Sequence, residues 1–127
     1  MELVKLIRER RIRGSARRLN RAVRALPLDA RRAMLEALED EELIIGAYTD
    51  RRGRNCPMLA AHRRGVRIDV GDFPRAWDAF GRARRARAAT SREIEILRAL
   101  LEESLAGVPD PPGPREPKPA PPVSVQA

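Results

Sequence analysis

The sequence holds one cysteine, Cys56, and one histidine, His62. A lone cysteine excludes a disulfide within the chain. Two such ligands fall short of the four that a closed zinc site takes. Asp50 or Asp69 would have to add oxygens, or a dimer double the set, and no spacing signals either. A thiol nucleophile beside a histidine base also needs an oxyanion hole, which no motif marks. Cys56 is therefore expected as a small buried residue, with no metal, cofactor or catalytic residue assigned. Aromatic residues make up only 3% of the chain, which leaves the core to Leu, Ile, Val, Ala and Met. Long apolar runs are missing too. The start, "MELVKLIRERRIRGS", breaks its short apolar pairs with charge and lacks the apolar stretch of a secretory signal. No run approaches a membrane span, so the expected compartment is cytoplasmic. Gly46, Gly53 and Gly65 make neither a GxGxxG fingerprint nor a P-loop.

Arginine is abundant. The formal net charge is +8, and of 26 basic residues only Lys5 and Lys118 are lysine. A basic balance points to nucleic acid, an anionic surface or an acidic protein. Arg and Ala also have GC-rich codons, which weakens the arginine excess as a sign of phosphate recognition. The charge is segregated along the chain: residues 1–26 carry a net +7, 27–49 a net −4, 50–74 a net +3, 75–92 a net +5 and 93–107 a net −3. The first helix and "RARRARAATSR" are the two basic blocks that could meet a phosphate backbone. Pairing between the acidic and basic segments is the competing account, and pairs of that kind on a surface add little stability.

Periodicity places the elements. Residues 2–26 read as a helix, with Ile12, Ala16, Leu19, Val23 and Leu26 in one stripe. Gly14-Ser15 is its weak point. Pro27 ends it. "LPLDARRAMLEALEDEEL" supplies a second helix, with Asp29 as N-cap and Leu28 packed on Ala33 as a staple. Its "EDEE" end opposes the helix dipole, so a break near Asp40 followed by a restart of the helix is expected. "LIIGAYTD" is β-friendly, and "DRRGRN" signals a turn around Gly53. "CPMLA" then returns as an edge strand or, in the rival reading, opens a short helix capped by Asn55 and ended by Gly65. "VRIDV" alternates like a strand. The favoured reading is a hairpin-like insert. Next comes a helix capped by Asp72, with Phe73, Trp77 and Phe80 on one face as core. "TSRE" makes a capping box for a last helix that stops at Gly107. Beyond it, "VPDPPGPREPKPAPPVSVQA" holds eight of the eleven prolines and is expected to be disordered and extended.

The fold class expected is mainly α: about four helices in a small bundle, a short β-hairpin-like insert over roughly residues 44–70, and a disordered Pro-rich C-terminal tail. Residues 1–107 form one domain and 108–127 the tail. Tyr48, Thr49 and Asp50 have a simple structural reading: Tyr48 packs, Thr49 suits a strand and Asp50 starts a turn. A helix-turn-helix over residues 75–105 would put Ser91, Arg92 and Glu95 at the bases, yet the second helix is rich in Glu and the basic residues precede it. That suits backbone contact better than base reading.

The function expected is that of a small, basic, non-catalytic binding or regulatory protein. It contacts nucleic acid, or a nucleic-acid-bound complex, through phosphates at Arg10, Arg11, Arg17, Arg18, Arg84, Arg85 and Arg87. The alternative is a protein-interaction module or homo-oligomer with no nucleic-acid role, using the first-helix stripe as a seam and the proline tail as a docking peptide.

Overall fold

The computed structural model describes residues 14–67 and 71–109. Arg10, Arg11, the helix start before residue 14, the end of "VRIDV" and the tail from residue 110 lie outside them. In chain order the elements are α1 (14–24), α2 (Leu28–Asp40), β1 (Ile44–Ile45), α3 (Pro57–Arg63), α4 (Phe73–Gly81), β2 (Arg87–Ala88) and α5 (Ser91–Leu105). The protein is mainly helical, with one small antiparallel sheet.

Each helix buries the stripe its spacing dictates. In α1, Leu19 and Val23 are fully buried and Ala22 nearly so, followed by Leu26 just past the helix. In α2 the buried positions are Ala30, Ala33, Met34, Ala37 and Leu38, a continuous helical face. Three of those five are alanines, and short side chains let a neighbouring helix approach closely. α2 packs on both α3 and α5. From α3 come Met58, Ala60 and Ala61, and from α5 Leu97 and Leu101.

The helix ends follow from local chemistry, with three departures from expectation at α2. α5 opens on the capping box: Thr90 Oγ1 accepts from Glu93 N at 3.1 Å, and Glu93 Oε1 accepts from Thr90 N at 2.9 Å. α2 is not capped by Asp29. Its N-cap is Pro27, extended at φ −60° and ψ 153°, so Asp29 falls in the first turn. There its charge suits the positive end of the dipole. Leu28 becomes a helical residue and stays 40% exposed, so it is no staple. α2 stops at Asp40 and the chain enters β1 instead of restarting as helix.

Arg31 ties three segments together. Its guanidinium donates to the carbonyls of Arg24 and Leu26 at the end of α1, and to that of Ser104 in the last turn of α5. Terminal helix carbonyls have no partner within their own helix, and a cation there also answers the dipole.

The sheet pairs distant segments. Ile44 faces Ala88 and Ile45 faces Arg87. The residues after Cys56 form α3, the rival reading, and not a returning strand, but the cap is Cys56 and not Asn55. The turn itself exists: Thr49 and Asn55 make an isolated antiparallel bridge. Cys56 then stops the ladder by capping α3, its Sγ accepting from Leu59 N at 3.4 Å. Pro57 at the first helical position has no N–H to leave unbonded. Ile44 uses its backbone outside the strand pair. Its N–H donates to Asn55 O at 3.1 Å, and its carbonyl accepts from Trp77 Nε1 at 3.0 Å. Trp77 is fully buried and stacks between Phe73 and Phe80, with both ring-centroid distances at 6.2 Å.

Gly46, directly after β1, must be glycine. Its φ is +97°, and a Cβ there would lie 2.1 Å from the carbonyl oxygen of Arg85. Gly53 also has a positive φ, 79°, but open space around it. Gly53→Ala is expected to cost about 1 kcal/mol, the left-handed penalty alone. Gly46→Ala adds a backbone collision and is expected to cost at least about 3 kcal/mol. Urea midpoints of the two variants check the difference.

Candidate functional site

Arginine placement separates the basic side chains into two sets. The first is engaged by carboxylates. Arg64, at the end of α3, meets Glu36 at 3.7 Å, Asp40 at 3.2 Å and Glu41 at 2.9 Å. Arg54 bonds Glu42 at 2.9 Å and Asp50 at 2.7 Å. Arg98 of α5 pairs with Glu39. Each member of the "EDEE" run thus faces an arginine, and those arginines come from α3, the 50–54 turn and α5. Internal pairing does occur, but these three cations lie outside the two basic blocks.

Each block gives up one arginine. In the first, Arg18 grips Asp72 through two bonds, Nη2 to Oδ1 at 2.9 Å and Nε to Oδ2 at 3.1 Å. Asp72 precedes α4 but makes no side-chain cap bond, because its carboxylate is turned to Arg18. That contact holds the Asp72 carboxyl below its usual range, with Arg75 and Arg21 close enough to add to the effect. In the second block, Arg87 makes a fork-to-fork pair with Glu93 at 2.8 and 2.9 Å and also donates to the carbonyls of Gly81 and Ala88. Burial alone raises the Glu93 carboxyl, but the bonds from Arg87 and the Thr90 N–H outweigh it and leave the group lowered.

The second set is exposed. Arg17, Arg84 and Arg85 are all exposed and make no ion pair with another described residue. Arg21 and Arg75 are likewise exposed, near Asp72 but bonded to no carboxylate among the described residues. Of the arginines singled out from the sequence, the structure therefore places Arg17, Arg84 and Arg85 in solvent and holds Arg18 and Arg87 in ion pairs. Arg10 and Arg11 lie outside the described residues.

The Cys56–His62 pair gains no support as chemistry. Cys56 is buried at 3% exposure in the core, as expected, and burial raises its thiol pKa, which disfavours the reactive thiolate. His62 is exposed, and its Nδ1 lies 3.1 Å from the Val66 carbonyl. Among the described residues no group of three or more His, Cys, Asp or Glu side chains is placed to hold a metal ion. No described helix is long and apolar enough to cross a membrane. The helix-turn-helix reading fails on its connection: residues 82–90 between α4 and α5 contain β2, where that motif has a turn of about 3–4 residues.

Two cavities differ in charge. One, of about 470 Å³, opens between α2 and α5 and is walled by Glu36, Glu39, Glu102 and Arg32 with Leu35, Leu105 and Val108. The other, of about 250 Å³, is lined by Gly46, Ala47, Tyr48, Cys56, Pro74, Arg75, Trp77 and Asp78. Its loop is pinned: Asp78 Oδ1 accepts from Gly46 N at 2.8 Å, and Tyr48 O accepts from Cys56 N at 2.8 Å. Tyr48 does not pack as expected. It is 52% exposed, because the positive φ of Gly46 turns the chain out of the strand path before Tyr48 is reached. Neither Arg75 nor this cavity was marked by any spacing in the sequence.

Comparison of the chain with protein-family models, with curated protein sequences and with solved structures gives no match.

The Arg87–Glu93 pair generates a pH prediction. A carboxyl lowered in the folded protein adds stability above its unfolded pKa, near 4.5, and that stability is lost as pH falls through the lower folded value. Asp50 and Asp72, both also lowered, act in the same direction. Urea midpoints are expected to hold from pH 7 to about 5 and to fall below the unfolded carboxyl range. Glu93→Gln is expected to be less stable at pH 7 and to show a shallower acid decline.

Proposed function

We propose that this protein is a small non-catalytic nucleic-acid-binding protein that holds its partner through arginine–phosphate contacts. One observation carries the reading. The acidic run of α2 is answered by Arg54, Arg64 and Arg98, so the two basic blocks keep Arg17, Arg84 and Arg85 exposed with no carboxylate bonded among the described residues. Exposed guanidinium groups are suited to bidentate phosphate contact. Arg18 and Arg87 act one step back. Arg18 fixes α1 to the start of α4, and Arg87 fixes the 82–90 segment that carries Arg84 and Arg85.

The seam version of a homo-oligomer has less behind it. Of the described part of its stripe, Leu19, Val23 and Leu26 are buried in the chain's own core at no more than 6% exposure, and Ala16 is half-buried.

The test is an anisotropy titration of the full chain against a labelled 20-base-pair duplex across a salt series. The triple variant Arg17→Gln, Arg84→Gln, Arg85→Gln is expected to bind at least roughly ten-fold more weakly near physiological salt. It is also expected to flatten the log–log salt slope by about one unit per arginine removed. Unchanged affinity and slope, with the variant's thermal transition intact, overturn the reading.

A further inference from the structure

We propose that the cavity beside Tyr48 receives one unpaired nucleobase, which makes single-stranded nucleic acid the preferred partner; the inference rests on the nucleic-acid reading above. Four observations meet there. Tyr48 stands at the cavity with half its surface in solvent, and among the described residues it is the more exposed of the two exposed large hydrophobic side chains, the other being Leu28. Among the described residues its ring makes no stacking contact of the kind that joins Phe73, Trp77 and Phe80. The space, about 250 Å³, lies below the roughly 300–1,000 Å³ typical of drug-sized ligands. That suits a single planar ring rather than a whole cofactor.

Charge flanks the cavity on two sides. Arg75 lines it directly. On the other side Gly46, also in its lining, approaches the Arg85 backbone so closely that no Cβ fits between them. The Arg85 backbone therefore adjoins the cavity lining at Gly46, and the side chains of Arg84 and Arg85 are exposed. A strand whose phosphates meet Arg75 at the cavity has Tyr48 within the same lining to receive a base. Such an arrangement, an aromatic platform between cations, is how sequence-tolerant single-strand binders work. Asp78 lines the cavity with a carboxylate that can accept from a ring or amino N–H of a base, the N3–H of thymine included. Its Oδ1 already accepts from Gly46 N, which holds it in place. In a duplex the bases are stacked and paired, and none reaches a recess of this kind.

The site is preformed. Asp50 accepts from the backbone N–H groups of Arg52 and Arg54 and from Arg54 Nε, which closes the turn after Tyr48. Tyr48 is thus presented from a fixed loop, and its side chain makes no described hydrogen bond that a substitution removes. Tyr48→Ala is expected to fold with an unchanged thermal transition.

The experiment titrates the full chain against a labelled 12-nucleotide oligo(dT) and against a 12-base-pair duplex at the same low salt. The oligo(dT) is expected to bind more tightly. Tyr48→Ala is expected to weaken oligo(dT) binding roughly ten-fold, to leave duplex binding unchanged, and to be rescued by Tyr48→Phe, which keeps the stacking face. If Tyr48→Ala binds oligo(dT) as wild type does, or loses affinity for both probes equally, the base site is overturned. In that case the arginine reading survives if the triple arginine variant still weakens both probes. Absence of binding to either probe at low salt overturns both.

Discussion

Four carboxylates in succession, Glu39 to Glu42, crowd the C-terminal end of α2. That end of a helix is already negative, so like charge accumulates where it is least tolerated. The fold answers with cations from three other places: Arg98 from α5, Arg64 from the end of α3 and Arg54 from the turn that follows β1. These contacts are mostly at the surface, where each pair adds little. Their collective effect is positional. They bring α3, the 50–54 turn and α5 around one end of α2, the helix on which both α3 and α5 pack. Having drawn its counter-charges from outside the basic blocks, the acidic end leaves those blocks largely unneutralised.

Beneath this charge arrangement lies a frame of specific backbone contacts. Arg31 holds the last carbonyls of α1 beside α5. Trp77 hangs on the Ile44 carbonyl, so the aromatic face of α4 is fixed to β1. β1 in turn pairs with β2, and β2 carries Arg87, which is locked to Glu93 in the first turn of α5. Gly46 sits where these paths cross. It follows β1, bonds to Asp78 of α4 and touches the Arg85 backbone. The position of Tyr48 relative to Arg75 and Arg85 is a product of that crossing, with α4 on one side and the 82–90 segment on the other.

How much of this was legible in the sequence depended on whether the signal was local. The helical stripes of α1, α2, α4 and α5 were, because burial on one side imposes a period that the residues display. The Thr90–Glu93 capping box was, because both of its bonds lie within four residues. Cys56 as a core residue followed from composition. The partner of β1 was not legible, since Arg87 and Ala88 lie more than forty positions away and two-residue strands carry no pattern. Asp29 was misplaced as a cap because Pro27 can set the extended dihedrals of that position without a side-chain bond. Among the arginines, nothing local distinguishes Arg84, which is exposed, from Arg87, which is gripped by Glu93. That difference is tertiary. The same holds for Tyr48, whose exposure comes from a positive φ two residues earlier.

The central claim is that the arginines fall into a structural set and a set available to a polyanion. Arginine modification by phenylglyoxal under native conditions, read by mass spectrometry with and without a 20-nucleotide oligonucleotide, tests it residue by residue. The account predicts fast modification of Arg17, Arg84 and Arg85 that the oligonucleotide suppresses. It predicts slow modification of Arg54, Arg64 and Arg87 in either case. Modification of Arg64 and Arg87 at the rate of Arg84, or an oligonucleotide that leaves Arg17, Arg84 and Arg85 unprotected, would contradict it.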